Sequence, residues 1–449
     1  MTETSLAPLA HAMIEAAQRA GAEAADALVV DGTSLSIGVL KGALEQAERA
    51  EGIEIGLRVT VGPRQATVSA SDTRPETLAE MAERAVAMAR LAPEDATVGL
   101  ADADQLSERR DGAGLDMLDP NDDPDPAALE QAALRAEAAA LAVSGVSQVQ
   151  SASAGYSRHR IHLAATNGFS GGYARSDFGL SCVAITGKGL SMERDYFGDG
   201  RNHAADLLSP EEIGRRAAER AVARANARQP KTGAYPVIYD ERISSGLIGH
   251  LLAATNGSAI VRGASWARDL LGQQVLPTDL DLVEDPHRPR TSGSRPFDAE
   301  GLPTTRRAIV ENGVLTGWTL DLATGRKLGL PSTGNAARGT GGPPSPSVGN
   351  IALTQGDQSL QDLMAEIGTG LLVTSLIGSS INATTGDYSR GASGFWIEGG
   401  EIAYPVNECT IAGNLRDMLL SIRPANDART HLSRVVPSLL VEGMTLAGA

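Results

Sequence analysis

The chain has 449 residues, 42% of them hydrophobic and 21% charged, with a formal net charge of -16. Such a length predicts two domains, each with its own core, and the acidic balance argues against a nucleic-acid surface built on a basic patch. Cys182 and Cys409 stand far apart without a CxxC pair, which excludes a disulfide framework or a cysteine zinc site, and no run of 18 apolar residues offers a membrane span.

Residues 6–20 place Leu6, Leu9, Ala10, Met13 and Ala17 on one helical stripe that Gly21 ends. With Glu3, His11 and Glu15 and no basic leader, the first 19 residues read as a soluble helix and not as a signal peptide, so a cytoplasmic protein is expected. Segments 27–30, 35–40, 53–61 and 65–71 are short, β-branched or alternating, and Thr73-Arg74-Pro75-Glu76 then opens a helix with a capping box. The pattern recurs. Residues 126–142 form an Ala-rich helix. Strands follow at 146–156, 160–165, 169–175, 179–185 and 190–197, with Asn167-Gly168 as a hairpin signal, and Ser209 caps a further helix. Glu83-Arg84-Ala85-Val86-Ala87 returns as Glu219-Arg220-Ala221-Val222-Ala223, which suggests a duplicated helix/antiparallel-strand/helix unit at 1–100 and 126–228. Between the copies, residues 101–125 carry Asp102, Asp104, Glu108, Asp111, Asp116, Asp119, Asp122, Asp123 and Asp125. No calcium-loop ladder is present, so a solvated acidic linker is expected.

Gln229-Pro230-Lys231-Thr232-Gly233 marks the boundary between an N-terminal domain, 1–230, and a β-rich C-terminal domain, 231–449. The second domain opens with strand 237–239 and helix 242–254, continues through a long loop at 257–303, and forms a hairpin of 304–311 and 314–321 around Asn312-Gly313. Residues 331–346 read as irregular, followed by strand 350–354, helix 359–367 and strand 370–376. Residues 378–414 read as strand, turn, strand, broken at Ser393-Gly394 and closed by Glu398-Gly399-Gly400-Glu401; Asn414 caps a helix at 415–422, with Asp417 in the box position. The fold class is α+β.

The run TGDYSRGASGFWIEGGEIAYPVNECTIAGNL at 385–415 resembles the C-terminal signature of the TldD/PmbA family, in its PmbA (TldE) branch. Weaker similarity extends to Gly56-Leu57-Arg58-Val59, to Pro331-Ser332-Thr333-Gly334-Asn335-Ala336 and to Asn426-Asp427. The catalytic TldD branch holds a metal on an HExxxH helix, completed by a later cysteine. Here the matching residues are Ser245-Gly246-Leu247-Ile248-Gly249-His250, and no cysteine follows Asp427. Two imidazoles would hold the metal and the glutamate would act as base, so Gly246 removes the base and Ser245 a ligand. The resemblance therefore implies a chain with no catalytic residues, metal or cofactor of its own. By the same resemblance it is expected to pair with a TldD-like metallopeptidase whose zinc cleaves unfolded peptides in an enclosed chamber.

No other catalytic set replaces the lost one. His159 and His162, three apart on a strand, point to opposite faces, and a His250–His431 pair falls short of the three or four ligands zinc takes. Gly391-Ala392-Ser393-Gly394 has the wrong spacing for a nucleophile elbow, and no phosphate loop surrounds Gly187-Lys188-Gly189. Asp298, Glu300, Asp387, Glu398 and Asp427 take surface or turn roles by default. A glycine-lined, hairpin-rich domain can accept an extended peptide by strand addition; Gly334, Asn335, Asp387, Tyr388 and Arg390 are the candidate groove, and Phe395, Trp396 and Ile397 read better as core. The main alternative is a homodimeric peptide-binding scaffold without hydrolysis. An autonomous hydrolase with a scattered metal site ranks below it, and nucleic-acid binding, suggested by the family's older description as a modulator of DNA gyrase, is weakest on charge. Hydrophobic edge strands of the second domain are the expected interface.

Overall fold

The computed structural model describes residues 6–121 and 123–449; Glu3 and Asp122, named above, lie outside them. The N-terminal half is one six-stranded antiparallel sheet made from two copies of the same unit. The first is helix α1 (Ala7–Arg19), strands β1 (Ala24–Leu40), β2 (Ala43–Val61) and β3 (Arg64–Ala70), and helix α2 (Pro75–Leu91). The second is α3 (Pro126–Leu141), β4 (Val146–Ala165), β5 (Ser170–Thr186), β6 (Glu193–Arg201) and α4 (Pro210–Ala223). The order β3-β2-β1-β4-β5-β6 makes the β1–β4 pairing the centre of the duplication. The matched pentapeptides occupy α2 and α4, where Ala85 and Ala221 are both fully buried, each in a separate core cluster. Small residues suit that packing: a Cβ on Gly214 of α4 would lie 2.0 Å from the Ala136 carbonyl of α3.

Several expected elements change at their joins. Residues 31–34, left between the expected strands 27–30 and 35–40, run straight through β1 because ladders with β2 and β4 hold both of its edges. Segments 146–156 and 160–165 fuse into β4, and 169–175 and 179–185 into β5. The Thr73 capping box is absent. No side chain caps the first-turn amides; Asp72 instead ties down the approach to the helix, accepting from the Arg74 amide at 3.0 Å and the Thr77 hydroxyl at 2.9 Å. Nor is 101–125 a solvated linker: Leu115, Met117 and Asp119 are buried, and Asp119 accepts from the Ala204 amide at 2.9 Å while Asp123 accepts from Tyr156 Oη at 2.7 Å.

The C-terminal half is built on a closed barrel. Its strands are β7 (Gly233–Tyr239), Thr369–Ile381, Asp387–Glu398, Glu401–Asn414 and Leu439–Ala447, closed by pairing between the last two. Gly399 and Gly400, at φ 62° and 84°, make the tight hairpin between Asp387–Glu398 and Glu401–Asn414. Asn312 and Gly313 do the same at φ 49° and 78°, joining Arg307–Glu311 to Val314–Leu315 in a second, five-stranded sheet of short strands. Residues 331–346 are not wholly irregular, since Ala336–Ala337 pairs with Ser345–Pro346. Ser393-Gly394 does not end a strand but forms a bulge, and a Cβ on Gly394 would sit 1.9 Å from the Leu372 carbonyl. Asn414 caps Leu415–Leu420 through the Arg416 amide at 3.0 Å, without Asp417. Phe395 is partly buried, and Trp396 and Ile397 are core.

Candidate functional site

A cavity of about 960 Å³ lies where the N-terminal sheet meets the barrel, within the range of roughly 300–1,000 Å³ typical of ligand sites. Val183, Ile185 and Tyr196 form one wall; Leu376, Ile377 and Ala392 form the other. The two strand edges bordering it differ. On β6 the Tyr196 amide donates to Asp195 Oδ1 at 2.7 Å, and the Tyr196 carbonyl accepts from Arg220 Nη1 at 3.3 Å, so side chains close that edge. On the barrel, pairing of Thr369–Ile381 with β7 stops at Val373, and from Ser375 to Ile377 only the Asp387–Glu398 strand is paired to it. That leaves one main-chain edge toward the cavity, beside Ile377, whose side chain is 74% exposed.

Buried ion pairs hold the two walls together. Arg224, the residue that ends α4, lies 3.6 Å from Asp195 and donates to Ser393 Oγ at 2.8 Å. Arg242 reaches Asp195 at 3.1 Å and Asp240 at 2.9 Å. Arg242 opens helix α5 (Glu241–Ala254), and Asp240 is its cap. The network therefore fixes to the N-terminal sheet the helix that carries Ser245, Gly246 and His250. On that helix Ser245 and His250 are half-buried and Gly246 is exposed, with open space where a Cβ would stand. His250 packs edge-on against Tyr388, ring centroids 5.8 Å apart. Burial, and then the Arg390 guanidinium, push its pKa below the usual imidazole value. A metal does not fit here, because one imidazole beside a cation is no donor set, and among the described residues no three His, Cys, Asp or Glu side chains converge.

The five groove candidates do not share one surface. Asn335 is buried, donating to Glu284 Oε1 at 2.8 Å, and Gly334, at φ 68°, lies against the Pro303 carbonyl. Asp387 is exposed and accepts from Asn414 Nδ2 at 3.2 Å. Tyr388 is buried in the barrel core. Only Arg390 links the His250 neighbourhood to the cavity wall, reaching the Ile377 carbonyl at 3.5 Å. His431 lies 3.5 Å from Asp199, and Asp427 is spent on the Ser438 amide and hydroxyl, each at 2.7 Å. The residues sequence reasoning missed are Tyr196, Arg224 and Ile377. No motif marks them, because the cavity exists only where two separately folded sheets meet.

Residues 25–89, 119–225 and 232–448 match domain 1, the central domain and the C-terminal domain of the PmbA/TldA metallopeptidases. The chain is 35% identical to Metalloprotease PmbA of Escherichia coli O157:H7, over 95% of this chain and 92% of that one. It is 36% identical to a Metalloprotease PmbA homolog of Haemophilus influenzae, over 97% and 94%. A crystal structure from Bacteroides thetaiotaomicron, described as a candidate modulator of DNA gyrase, superposes with a TM-score of 0.90 at 26% identity, covering 98% of both chains. TldE from Thermococcus kodakarensis shares the fold, with a TM-score of 0.85 at 22% identity, covering 98% of this chain and 100% of that one.

Proposed function

Since this chain belongs to the PmbA/TldD metallopeptidase family, in its PmbA branch, we propose that it is the subunit of a two-chain cytoplasmic peptidase that has no metal centre of its own. A TldD-like partner supplies the zinc and the hydrolysis. This chain walls the chamber and holds an unfolded peptide for maturation or turnover. The observation that carries the reading is helix α5: Ser245, Gly246 and His250 leave one imidazole where a metallopeptidase needs three ligands and a base.

The cavity supports the substrate class. An extended peptide adds to the open edge at residues 375–377 by main-chain hydrogen bonds, which is tolerant of sequence. Val183, Ile185, Leu376 and Ile377 take its apolar side chains. The test is cleavage of an unfolded peptide by this chain alone and mixed with a TldD-like subunit, with zinc measured in each sample. Hydrolysis and zinc only in the mixture are expected, along with loss of turnover in the mixture when Ile377→Pro closes the edge. Stoichiometric zinc and hydrolysis by the isolated chain would sink the reading.

A further inference from the structure

The cavity between the N-terminal sheet and the barrel carries a selectivity that its open strand edge alone would not have, and this inference rests on the peptide reading given above. Main-chain pairing accepts any sequence, so a choice among peptides must come from the side chains around the edge. Large apolar side chains stand exposed there. On β6, Asp195 and Phe197 are buried, and strand alternation turns Tyr196 to the opposite face, where it is exposed. Its main chain is held by Asp195 and Arg220, yet its hydroxyl bonds to nothing among the described residues. Met192 of the same wall is exposed, and Leu190, two residues earlier, is fully so. On the other wall Ile377 stands exposed, and Gly391, its partner on the neighbouring strand, adds no side chain beside it. Apolar side chains gathered in this way around one cavity mark a binding surface, whereas single exposed ones need no explanation.

The charges in the cavity point the same way. Val406 and Cys409 both belong to the barrel core, and a bulge sets two residues, Asn407 and Glu408, between them opposite the single Ser393. Both therefore line the cavity, Glu408 with its backbone at φ 51°, a conformation that costs a non-glycine residue about 1 kcal/mol. The other polar side chains are spent on one another. Asn407 donates to Glu193 Oε1 at 2.6 Å, Arg194 to Gln150 at 3.2 Å and Arg224 to Ser393 at 2.8 Å. The Glu408 carboxylate meets the Gln229 amide at 3.5 Å and joins no ion pair among the described residues. An acidic side chain entering here would lose water beside an unpaired like charge, while a large uncharged one gains the apolar contacts. A strand added at 375–377 turns every second side chain to the face of Ile377, toward Tyr196. We infer that the cavity selects peptides for one bulky apolar or aromatic side chain, gripped between Tyr196 and Ile377. Tyr196 decides that choice, and Glu408 turns acidic side chains away.

The experiment compares extended peptides that differ only in one central residue: Phe, Leu, Ala, Lys or Glu. Fluorescence anisotropy gives their binding to this chain alone, and kcat/KM gives the same comparison in the mixture with a TldD-like subunit. The Phe and Leu peptides should exceed Ala by about tenfold or more, and Glu should fall below Ala by about threefold or more. Tyr196→Ala should bring Phe down to the level of Ala, and Tyr196→Phe, which keeps the ring, should retain the preference. Glu408→Gln should raise the Glu peptide to the level of Ala and leave Phe above Ala. Equal handling of all the peptides, still lost in Ile377→Pro, overturns the selectivity and leaves the open edge standing. Binding of none, with turnover indifferent to Ile377→Pro, removes the edge reading and this inference with it. A preference for Lys over Phe, or a Phe preference that survives Tyr196→Ala, overturns the role of Tyr196. If Tyr196→Ala instead abolishes only co-elution with the TldD-like subunit, the exposed patch belongs to that interface and the assignment falls.

Discussion

Arg338 and Asp26 form an ion pair 2.6 Å long across the seam between the N-terminal sheet and the barrel half, their side chains 1% and 3% exposed. Arg58 of β2 holds the other oxygen of the same carboxylate at 2.6–2.7 Å, so one aspartate on β1 serves two buried guanidinium groups. Charges that leave water stay stable only while paired. Removing the shared acid should therefore hurt more than removing either base. Asp26→Asn is expected to cost about 3–5 kcal/mol, by stranding two cations. Arg338→Met should cost clearly less, since Arg58 keeps Asp26 paired. Denaturant midpoints at constant m-value give the comparison, and an Arg338→Met cost equal to that of Asp26→Asn would refute the shared-anion account.

The loop bearing Arg338 reaches Asp26 because β2 has no side chain at Gly56: a Cβ there would lie 2.3 Å from the Thr340 carbonyl. Thr340 Oγ1 also donates to Glu54 at 2.9 Å. Gly56→Ala must displace main chain and not a flexible side chain, so a loss of about 1–3 kcal/mol is expected. The loop should open with it, read as faster proteolysis after Arg338. Unchanged stability and unchanged cleavage would mean that the seam tolerates the shift.

Two pieces of the family signature thus explain each other. Gly56-Leu57-Arg58-Val59 and the loop that follows Asn335-Ala336 are far apart in sequence and meet at this seam. Local chemistry was readable wherever a motif acts on its own neighbours: the Ser209 cap, the Asn414 cap, the Asn312-Gly313 turn and the Gly399-Gly400 tip all form. It was unreadable where distant strands decide. Gly32 and Ser34 fall between two expected strands, yet two ladders pull them straight, and the Asp31 carboxylate is held by Arg160 Nε at 2.9 Å. The groove candidates failed to converge for the same reason. Gly334 sits against the Pro303 carbonyl and Asp387 at the start of a barrel strand, whereas the cavity residues come from strands with no shared motif.

Beside the seam, Asp298 and Glu300 are both buried. Asp298 accepts three amides, from Glu300, Leu302 and Ala336, at 2.9–3.0 Å, so of the pair it ionises first, although burial raises its pKa to about 6 as well. Burial first, and then the nearby Asp298, push the Glu300 pKa up to about 8. An acid whose pKa is higher folded than unfolded binds its proton more tightly in the fold. Its stabilisation is complete below the unfolded pKa and is lost as pH rises through the folded one. Stability should accordingly fall between about pH 5 and pH 8, by up to about 1.4 kcal/mol per unit. Glu300→Gln should flatten the fall, since its amide oxygen can still accept the Leu322 amide, now at 2.9 Å. Urea midpoints across that range decide it, and an equal slope in Glu300→Gln would remove Glu300 as the cause.

The last test concerns helix α5. Gly246 sits exposed in its interior with nothing within 4 Å of a Cβ. Gly246→Ala should therefore stabilise the protein by roughly 0.5–1 kcal/mol, the cost of an unneeded helix glycine. The same open space accepts a glutamate, so Ser245→His with Gly246→Glu rebuilds the written HExxxH without steric cost at position 246. Zinc is still expected to bind well below one equivalent. A tetrahedral site needs a third protein ligand, Cys409 is buried and bonded to the Ala392 carbonyl, and the nearest charge to His250 is the cation of Arg390. Metal analysis after dialysis against zinc and then buffer measures this directly. One tightly held zinc in the double variant would mean that a third ligand lies within reach and that only two substitutions separate this helix from a metal centre.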